Sequence, residues 1–329
     1  MKKERIKGIN FERMLLALSI IAYHYYIDSS STILSLNTLY IGRIATTSFF
    51  VISGAMLFYN HENVHDIADY YRKRFKAIFP AFWIAYFLEY MRVAVNARSI
   101  LWTDAPKWRF LFSIFGLDGF FHSTFEEHDF YILGEWFLGA IIIIYIVYPF
   151  LARLMNKNVY VVSVCVYVIF ALYLTIDNAP FPTRIIVCIT YFYTGMLIMK
   201  FKKQLFDSRQ ALIVSAVACV LLVIFKTNGS SVFYLIFSAG LLIVLQRIGS
   251  VLENLPVIGQ AIDFIGGISY EIFLIQHVVI ANALLIKNPA ELYKSIIYVG
   301  MIMILCIIYA KLLNSAAKGV VSMFASKKK

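Results

Sequence analysis

Charged residues are scarce in this sequence of 329 residues. Asp, Glu, Lys and Arg make up 15% of the chain, whereas 61% of its residues are hydrophobic and the mean hydropathy is +0.76. A soluble protein carries about a quarter charged residues. A soluble fold could not bury this much apolar surface and still cover itself with polar groups. The composition therefore excludes an ordinary soluble protein and predicts an integral membrane protein.

Cysteines and acidic residues are also few. The four cysteines are Cys165, Cys188, Cys219 and Cys306; they lie in apolar stretches without CxxC spacing, which argues against a disulfide framework or a cysteine metal site and predicts buried thiols. The 30 basic residues outnumber the 19 acidic ones, giving a net charge of +11. Because the basic runs adjoin apolar segments, they indicate membrane orientation, and we expect no nucleic-acid partner.

Long apolar runs dominate the sequence. A membrane helix needs about 20 mostly apolar residues, and the first run lacks a cleavage site for a signal peptide, so we interpret it as a retained span. The predicted spans are 9–27, 42–59, 79–95, 131–152, 159–176, 184–200, 210–226, 231–247, 262–283 and 294–313. This pattern predicts an all-α bundle of about ten transmembrane helices, forming a single domain over residues 1–329 with no appended soluble domain.

The basic residues also predict the orientation of the bundle. With the N-terminus in the cytoplasm, the inner ends and loops carry twenty Lys and Arg and the outer ones nine. This bias follows the positive-inside rule, so we expect both termini in the cytoplasm and a multi-pass protein of the plasma or inner membrane. Residues 96–130 then form a long outer loop, for which a lid and an interfacial segment that seals the bundle are equally good interpretations.

Two polar residues in the first predicted span are candidates for chemistry, because ionisable groups inside a membrane are costly and usually functional. Arg13 and His24 are eleven residues apart, so a helix places them on one face about 16 Å apart. Each also has a structural interpretation. Arg13 could extend its charge to the interface, and His24 could make one interhelical hydrogen bond.

Four further segments carry polar or aromatic candidates. Ser53-Gly54 is more typical of close helix packing than of chemistry. The basic cluster with Arg72 and Arg74 would orient a loop or bind an anionic donor such as a CoA thioester, since Arg pairs bidentately with phosphate. The remaining candidates are Glu135 and Trp136 at the start of the fourth predicted span, and Tyr270 and His277 in the ninth.

One short motif suggests a metal site. His61-Glu62-Asn63-Val64-His65 matches HExxH, which on a helix would place two imidazoles on one zinc ion, as in a metalloprotease. The motif lies in a polar stretch at the end of a predicted span, without a recognisable third ligand. We therefore expect His61 and His65 to be loop residues that bind no metal, and we keep a membrane zinc metalloprotease as a remote alternative.

Taken together, these segments resemble the acyltransferase family 3 membrane proteins over residues 9–283. The matching blocks are Arg13 and His24, Phe49-Phe50-Val51-Ile52-Ser53-Gly54, Trp136-Phe137-Leu138 with Tyr145 and Pro149, and Ser269-Tyr270 with Phe273-Leu274 and His277. The chain departs from the family pattern at several places, among them Phe273 where the family has Tyr and one residue inserted before His277. Asn10 stands where the family often has an acid, Ala77 replaces the second Arg of the basic loop, and Ile141 replaces a common acid.

The resemblance implies an activity and assigns roles. It implies a membrane O-acyltransferase, most simply an O-acetyltransferase, that moves an acyl group from cytoplasmic acetyl-CoA or another acyl-CoA to a hydroxyl of a surface or exported polysaccharide. His24 would be the general base, acting directly or through an acyl-histidine. Arg13, Arg72 and Arg74 would hold the donor. Ser53, Glu135, Trp136, Tyr270 and His277 would orient His24 or the sugar.

The expected partners follow from this activity. They are acyl-CoA as a substrate, a glycan acceptor, membrane lipid and the machinery of polysaccharide biosynthesis, with no permanently bound cofactor. A different class of function fits the same composition, because about ten spans with polar groups near the midplane are also typical of transporters. A transporter or flippase for sugars or lipid-linked glycans is therefore the main alternative.

Overall fold

The computed structural model describes residues 5–29, 41–100, 102–125, 129–134, 136–176, 184–224, 229–289 and 291–326. Within these ranges the regular structure is entirely helical, as the sequence predicts. The helices are α1 Ile9–Asp28, α2 Ile41–His61, α3 Ile67–Ala97, α4 Phe110–Ile114, α5 Asp118–Phe121, α6 Trp136–Lys157, α7 Val159–Tyr173, α8 Ile185–Lys200, α9 Lys202–Phe206, α10 Arg209–Ile224, α11 Ser231–Leu252, α12 Pro256–Gly267, α13 Ser269–Ile286 and α14 Leu292–Ser326.

Two compact units make up the chain. The first comprises residues 1–62, 187–273 and 280–304, and the second comprises residues 63–186, 274–279 and 305–329. In the first unit, α1 packs against α2, α11 and α12, while α11 also packs against α2 and α10. In the second unit, α6 packs against α3, α5 and α7. In each unit, a helix that carries candidate residues packs among several neighbours: α1 with Arg13 and His24 in the first unit, and α6 with Trp136 in the second.

Six of the described helices are long and apolar enough to cross a membrane: α2, α3, α6, α11, α13 and α14. Three more, α7, α8 and α10, are apolar but only 15 or 16 residues long. The 20 residues of α1 are sufficient in length, but polar side chains lower its hydropathy. These helices support a multi-pass membrane protein, and the count of ten spans and the cytoplasmic termini stay predictions.

The third helix begins earlier than the sequence predicts. Residues 60–78 were expected to form a loop, yet α3 starts at Ile67 and runs for 31 residues, about 46 Å. Asp66 caps it, with its side chain accepting a hydrogen bond from the backbone N–H of Asp69 at 2.9 Å. Asp69 in turn pairs with Arg72 and Lys73 one turn later. The basic cluster therefore lies on a helix, and the loop prediction is wrong there.

The predicted ninth span, 262–283, is also wrong in its bounds. The helix is interrupted at Ile268, whose φ of −113° and ψ of 16° are not helical. Helix α12 therefore ends at Gly267, and α13 begins at Ser269. The paired Gly266 and Gly267 have low helix propensity, which favours a break here. A Cβ at Gly266 would lie 2.3 Å from the Asn10 carbonyl oxygen, so glycine is needed where α12 meets α1.

The Ser-Gly pair of α2 serves close helix packing, as the sequence indicates. A Cβ at Gly54 would lie 1.8 Å from the carbonyl oxygen of Phe192, and one at Gly195 would lie 1.8 Å from that of Val51. The backbones of α2 and α8 therefore touch through reciprocal glycines, in the manner of small-residue contacts between membrane helices.

The cysteine prediction holds only in part. The four cysteines, all of which the structure describes, form no disulfide; Cys188 and Cys306 are buried, and Cys219 is partly buried. Cys165 is exposed on α7, beside other exposed apolar side chains such as Val161, Val164 and Val168. Burial was the wrong expectation for Cys165, because an apolar helix that faces lipid does not need to bury its side chains inside the protein.

Candidate active site

The first unit contains Arg13 and His24. Because α1 is continuous from Ile9 to Asp28, the two side chains lie on one side of the helix about 16 Å apart. Both are partly exposed, although buried residues such as Leu16 and Ile20 share this side of α1. His24 packs edge-on against Tyr23, with ring centroids 5.3 Å apart. This side of α1 thus combines packing residues with the two accessible polar groups.

Glu12 is a further polar residue of α1, which the sequence reasoning did not select. Its side chain is fully buried, neither carboxyl oxygen accepts a hydrogen bond from a described residue, and it interacts electrostatically with Arg13. A buried carboxyl beside Arg13 is costly. The only sequence signal was its position on the apolar side of the helix, next to the Arg of the motif.

The start of α1 is fixed by polar contacts. The Arg5 guanidinium hydrogen-bonds Asp263 and lies 3.1 Å from a carboxylate oxygen of Glu253. The Glu253 carboxylate also accepts the backbone N–H of Gly8 at 2.9 Å, and the Asn10 amide donates to Asp263 at 3.3 Å. Asn10 stands at the position where the family often has an acid, and here it joins this network. These contacts set the position of α1 against α11 and α12.

Two weaker candidates also lie in the first unit. Ser53 is partly exposed on α2, beside the tightly packed Gly54. Tyr270 is partly exposed in the first turn of α13. The roles predicted for these two hydroxyls stay predictions.

Arg72 and Arg74 lie in the second unit and differ in their surroundings. Arg72 is exposed and hydrogen-bonds Asp69 at 2.5 Å. Arg74 is partly buried, and its guanidinium carbon lies 6.0 Å from the centroid of the Tyr145 ring on α6. Among the described residues, no carboxylate pairs with Arg74. Of the two, Arg74 is therefore the better placed to bind an external anion.

Trp136 and His277 both lie near Gly134 in the second unit. Gly134 has a φ of +73°, and a Cβ there would lie 2.4 Å from Cδ2 and 2.6 Å from Nε2 of the His277 imidazole. His277 therefore packs directly on the backbone of Gly134, two residues before Trp136 opens α6. The structure brings these two predicted residues into one neighbourhood, while Glu135 between them lies outside the described residues.

The chain between α3 and α6, residues 98–134, is called the connecting segment below. Three side chains of α3 fasten it: Trp83 donates to the Ile114 carbonyl at 2.8 Å, Tyr86 to that of Phe130 at 2.8 Å, and Tyr90 to that of Ile100 at 2.7 Å. Its described part is thus packed on α3. The choice between a lid and an interfacial seal remains open.

The connecting segment holds a His–Asp pair that the sequence reasoning missed. Nδ1 of His122 lies 2.9 Å from Oδ2 of Asp129, and Oδ1 of Asp129 accepts the backbone N–H of Tyr131 at 3.2 Å. Asp118 is fully buried nearby. Burial raises the pKa of its carboxyl to about 7; the Ser113 hydroxyl opposes this shift and the charge of Asp129 adds to it. The sequence showed only that this loop is rich in acids and aromatics.

The HExxH motif does not lie on a helix in the structure. Helix α2 ends at His61, and residues 62–65 are not helical, so the two histidines are not placed on one helical face. Glu62 pairs instead with Lys200 at 3.0 Å. Among the described residues, no group of three His, Cys, Asp or Glu side chains is arranged to hold a metal ion. The absence of a metal site stays a prediction.

Comparison with known proteins gives one match. No curated protein and no solved structure matches the chain. The family model described as an acyltransferase domain, that of acyltransferase family 3, matches residues 6–311, which include α1 to α13 and the first part of α14. The match covers the α1 residues Arg13 and His24 as well as the segments around Trp136 and His277. The chain therefore belongs to acyltransferase family 3.

Proposed function

We propose that this protein moves an acyl group, most simply acetyl, from cytoplasmic acyl-CoA to a hydroxyl of a surface or exported polysaccharide. One observation carries the proposal beyond the family. The motif residues Arg13 and His24 share one side of the continuous helix α1, which three other helices surround in the first unit. Both stay partly accessible on a side otherwise used for packing. An imidazole and a guanidinium in such a place are costly unless they have a function.

His24 is the proposed general base. Its neutral imidazole takes the proton of an acceptor hydroxyl as that oxygen attacks the thioester carbonyl. The carbon–sulfur bond then breaks, the ester forms, and the proton passes to the leaving thiolate to give free CoA. In a route through an acyl-histidine, the ring nitrogen attacks the thioester and expels the CoA thiolate. The acceptor hydroxyl then attacks the acyl-imidazole, which regenerates the ring, and its proton ends on the CoA thiol. Either route requires an uncharged imidazole at position 24.

Arg74 is the proposed contact for the donor phosphates. Its guanidinium lies against Tyr145, and no described carboxylate neutralises it, so it can form charge-assisted hydrogen bonds with phosphate. Arg72 already pairs with Asp69 and is expected to contribute less. Arg13 is proposed as a second cationic contact. Trp136 and His277, which both lie near Gly134, together with Ser53, Glu135 and Tyr270, remain candidates for orienting the sugar.

The experiment that tests this proposal uses purified full-length protein in liposomes with radiolabelled acetyl-CoA. The acceptor is surface polysaccharide isolated from cells that lack the gene. We expect label to move to the polysaccharide and free CoA to be released in equal amount. A transporter or flippase would show neither. Chelation of zinc should leave the rate unchanged, whereas a metalloprotease would lose its activity.

A further inference from the structure

We infer that the His122–Asp129 pair of the connecting segment is a binding subsite for a hydroxyl group of the polysaccharide acceptor. This inference rests on the proposed function and adds a residue that binds the acceptor. Every contact used below lies within the second unit.

The pair holds its imidazole in one orientation. The Asp129 side chain is only 2% exposed, and both of its oxygens are engaged, one by Nδ1 of His122 and the other by the backbone N–H of Tyr131. The His122 side chain is 32% exposed. Among the described residues, none hydrogen-bonds Nε2. Because a carboxylate only accepts hydrogen bonds, Nδ1 donates to Asp129, and Nε2 of the neutral, partly exposed ring can accept one.

Asp118 places a second carboxyl near the pair. It is fully buried, and the Ser113 hydroxyl is its hydrogen-bonding neighbour. Its electrostatic interaction with Asp129 shows that the two carboxyls are near each other.

Aromatic rings and a close backbone contact complete the surroundings. The Tyr131 ring lies against His122, with centroids 4.6 Å apart. A Cβ at Gly119 would lie 2.4 Å from Cε2 of Tyr131 and 2.4 Å from the backbone nitrogen of Trp136, so α5 is pressed onto both residues. An aromatic ring can contact the apolar face of a sugar, and the hydrogen-bonding groups beside it can contact the sugar hydroxyls.

Charge indicates which substrate this subsite takes. The buried Asp129 carboxylate would repel the phosphates of acyl-CoA, so the donor is the wrong ligand. A neutral polyol has hydroxyl groups that donate hydrogen bonds, and Nε2 of His122 can accept one while Nδ1 donates to Asp129. The acceptor polysaccharide is therefore the matching partner.

The test uses full-length protein in liposomes and compares two variants of His122, each of which removes the hydrogen bonding of one ring nitrogen. His122→Asn keeps an amide near the position of Nδ1, which can still donate to Asp129, but it removes Nε2. His122→Gln reaches the position of Nε2 but gives up the bond to Asp129. The acceptor is unacylated surface polysaccharide from cells lacking the gene. Its KM and kcat are measured, together with acetyl-CoA hydrolysis without acceptor.

We expect His122→Asn to raise the KM for polysaccharide by about 3- to 10-fold, the scale of one lost hydrogen bond, with kcat and acetyl-CoA hydrolysis unchanged. His122→Gln should recover part of this loss. His65→Ala, at an exposed histidine of the same unit, is the matched control and should behave as wild type.

Three other outcomes are distinguishable. A wild-type KM in His122→Asn together with an unstable His122→Gln would show that the pair only fastens the segment, and the inference would be wrong while the proposed function stands. An equal fall in kcat and acetyl-CoA hydrolysis would also overturn it. If wild-type protein hydrolyses acetyl-CoA but never acylates the polysaccharide, both the acceptor assignment and this subsite fail.

Discussion

Helix α1 and the connecting segment each combine an imidazole with a buried carboxyl, but in different ways. In α1, a regular helix carries His24 three turns from Arg13, and the buried Glu12 accepts no hydrogen bond from any described residue. In the connecting segment, short turns place His122 directly on Asp129, whose two oxygens are both occupied. One region spaces its polar groups along an axis, and the other locks them together.

The difference teaches what each region is suited to do. Groups spread over about 16 Å of helix suit an extended substrate such as the arm of an acyl-CoA, with a cation at one end and a base at the other. A locked pair offers one directed hydrogen bond at one point, which suits recognition of a hydroxyl. We therefore assign the reacting imidazole to α1 and a binding imidazole to the connecting segment.

The largest expected effect concerns the sides of the membrane on which these regions lie. In a variant whose four cysteines are replaced by alanine, Lys107→Cys in the connecting segment should react fully with an impermeant maleimide applied to intact cells. Gln204→Cys in α9 should react only after the cells are opened, because the basic bias predicts a cytoplasmic position there. Reaction of Gln204→Cys in intact cells would reverse the predicted orientation.

The next largest effect separates the two imidazoles. His24→Gln keeps hydrogen bonding but removes basicity, so acyl transfer should fall by about 10²–10⁴-fold, the usual contribution of a general base. Expression and folding should persist, since one interhelical hydrogen bond in a membrane is worth about 0.6 kcal/mol on average. The changes at His122 should instead affect the acceptor KM. If His24→Gln transfers acyl groups at the wild-type rate, His24 is structural and the assignment must be reversed.

A smaller effect is expected at the donor contact. Arg74→Ala should weaken acyl-CoA use by roughly 1.5–3 kcal/mol, or about 10- to 150-fold in KM, through loss of a charge-assisted phosphate contact. Arg72→Ala is the matched control, because Arg72 is exposed and already paired with Asp69. Steady-state kinetics with varied acetyl-CoA give the comparison. Equal, small effects of both changes would mean that the cluster serves membrane orientation alone.

The smallest expected effect is a pH dependence of the free energy of unfolding, which arises from Asp118 in the connecting segment. Burial raises the pKa of Asp118 to about 7, so the folded protein binds this proton more tightly than the unfolded chain does. Stability should therefore fall as the pH rises from about 4 to 7 and then level off. Asp118→Asn should remove that slope and unfold at a slightly higher temperature than wild type at pH 7.5. Identical melting profiles from pH 4.5 to 7.5 would contradict this.

How much the sequence predicts depends on the kind of geometry involved. The helices and the shared side of Arg13 and His24 are predictable because the period of an α-helix fixes the positions of residues eleven apart. The packing role of Gly54 follows from the known use of small residues between membrane helices. The early start of α3 also had a local signal, in Asp66 as a capping residue and Asp69 one turn before the basic cluster.

The His122–Asp129 pair had no such signal. It forms because 3₁₀ and short α-helical turns fold the connecting segment back on itself and α3 fastens it at three points. Contacts of this kind depend on tertiary packing and do not follow from periodicity. The contact of His277 with Gly134 was unpredictable for the same reason, since it joins residues more than a hundred positions apart and relies on a positive φ.

The most direct test of the account is mass spectrometry of surface polysaccharide from three otherwise identical strains. One lacks the gene, one carries the wild-type gene and one carries His24→Gln. We predict acyl groups on the polysaccharide in the wild-type strain alone, with similar amounts of polysaccharide in all three. Identical acylation in the three strains, or a change in the exported amount without a change in acylation, would contradict an acyltransferase that uses His24.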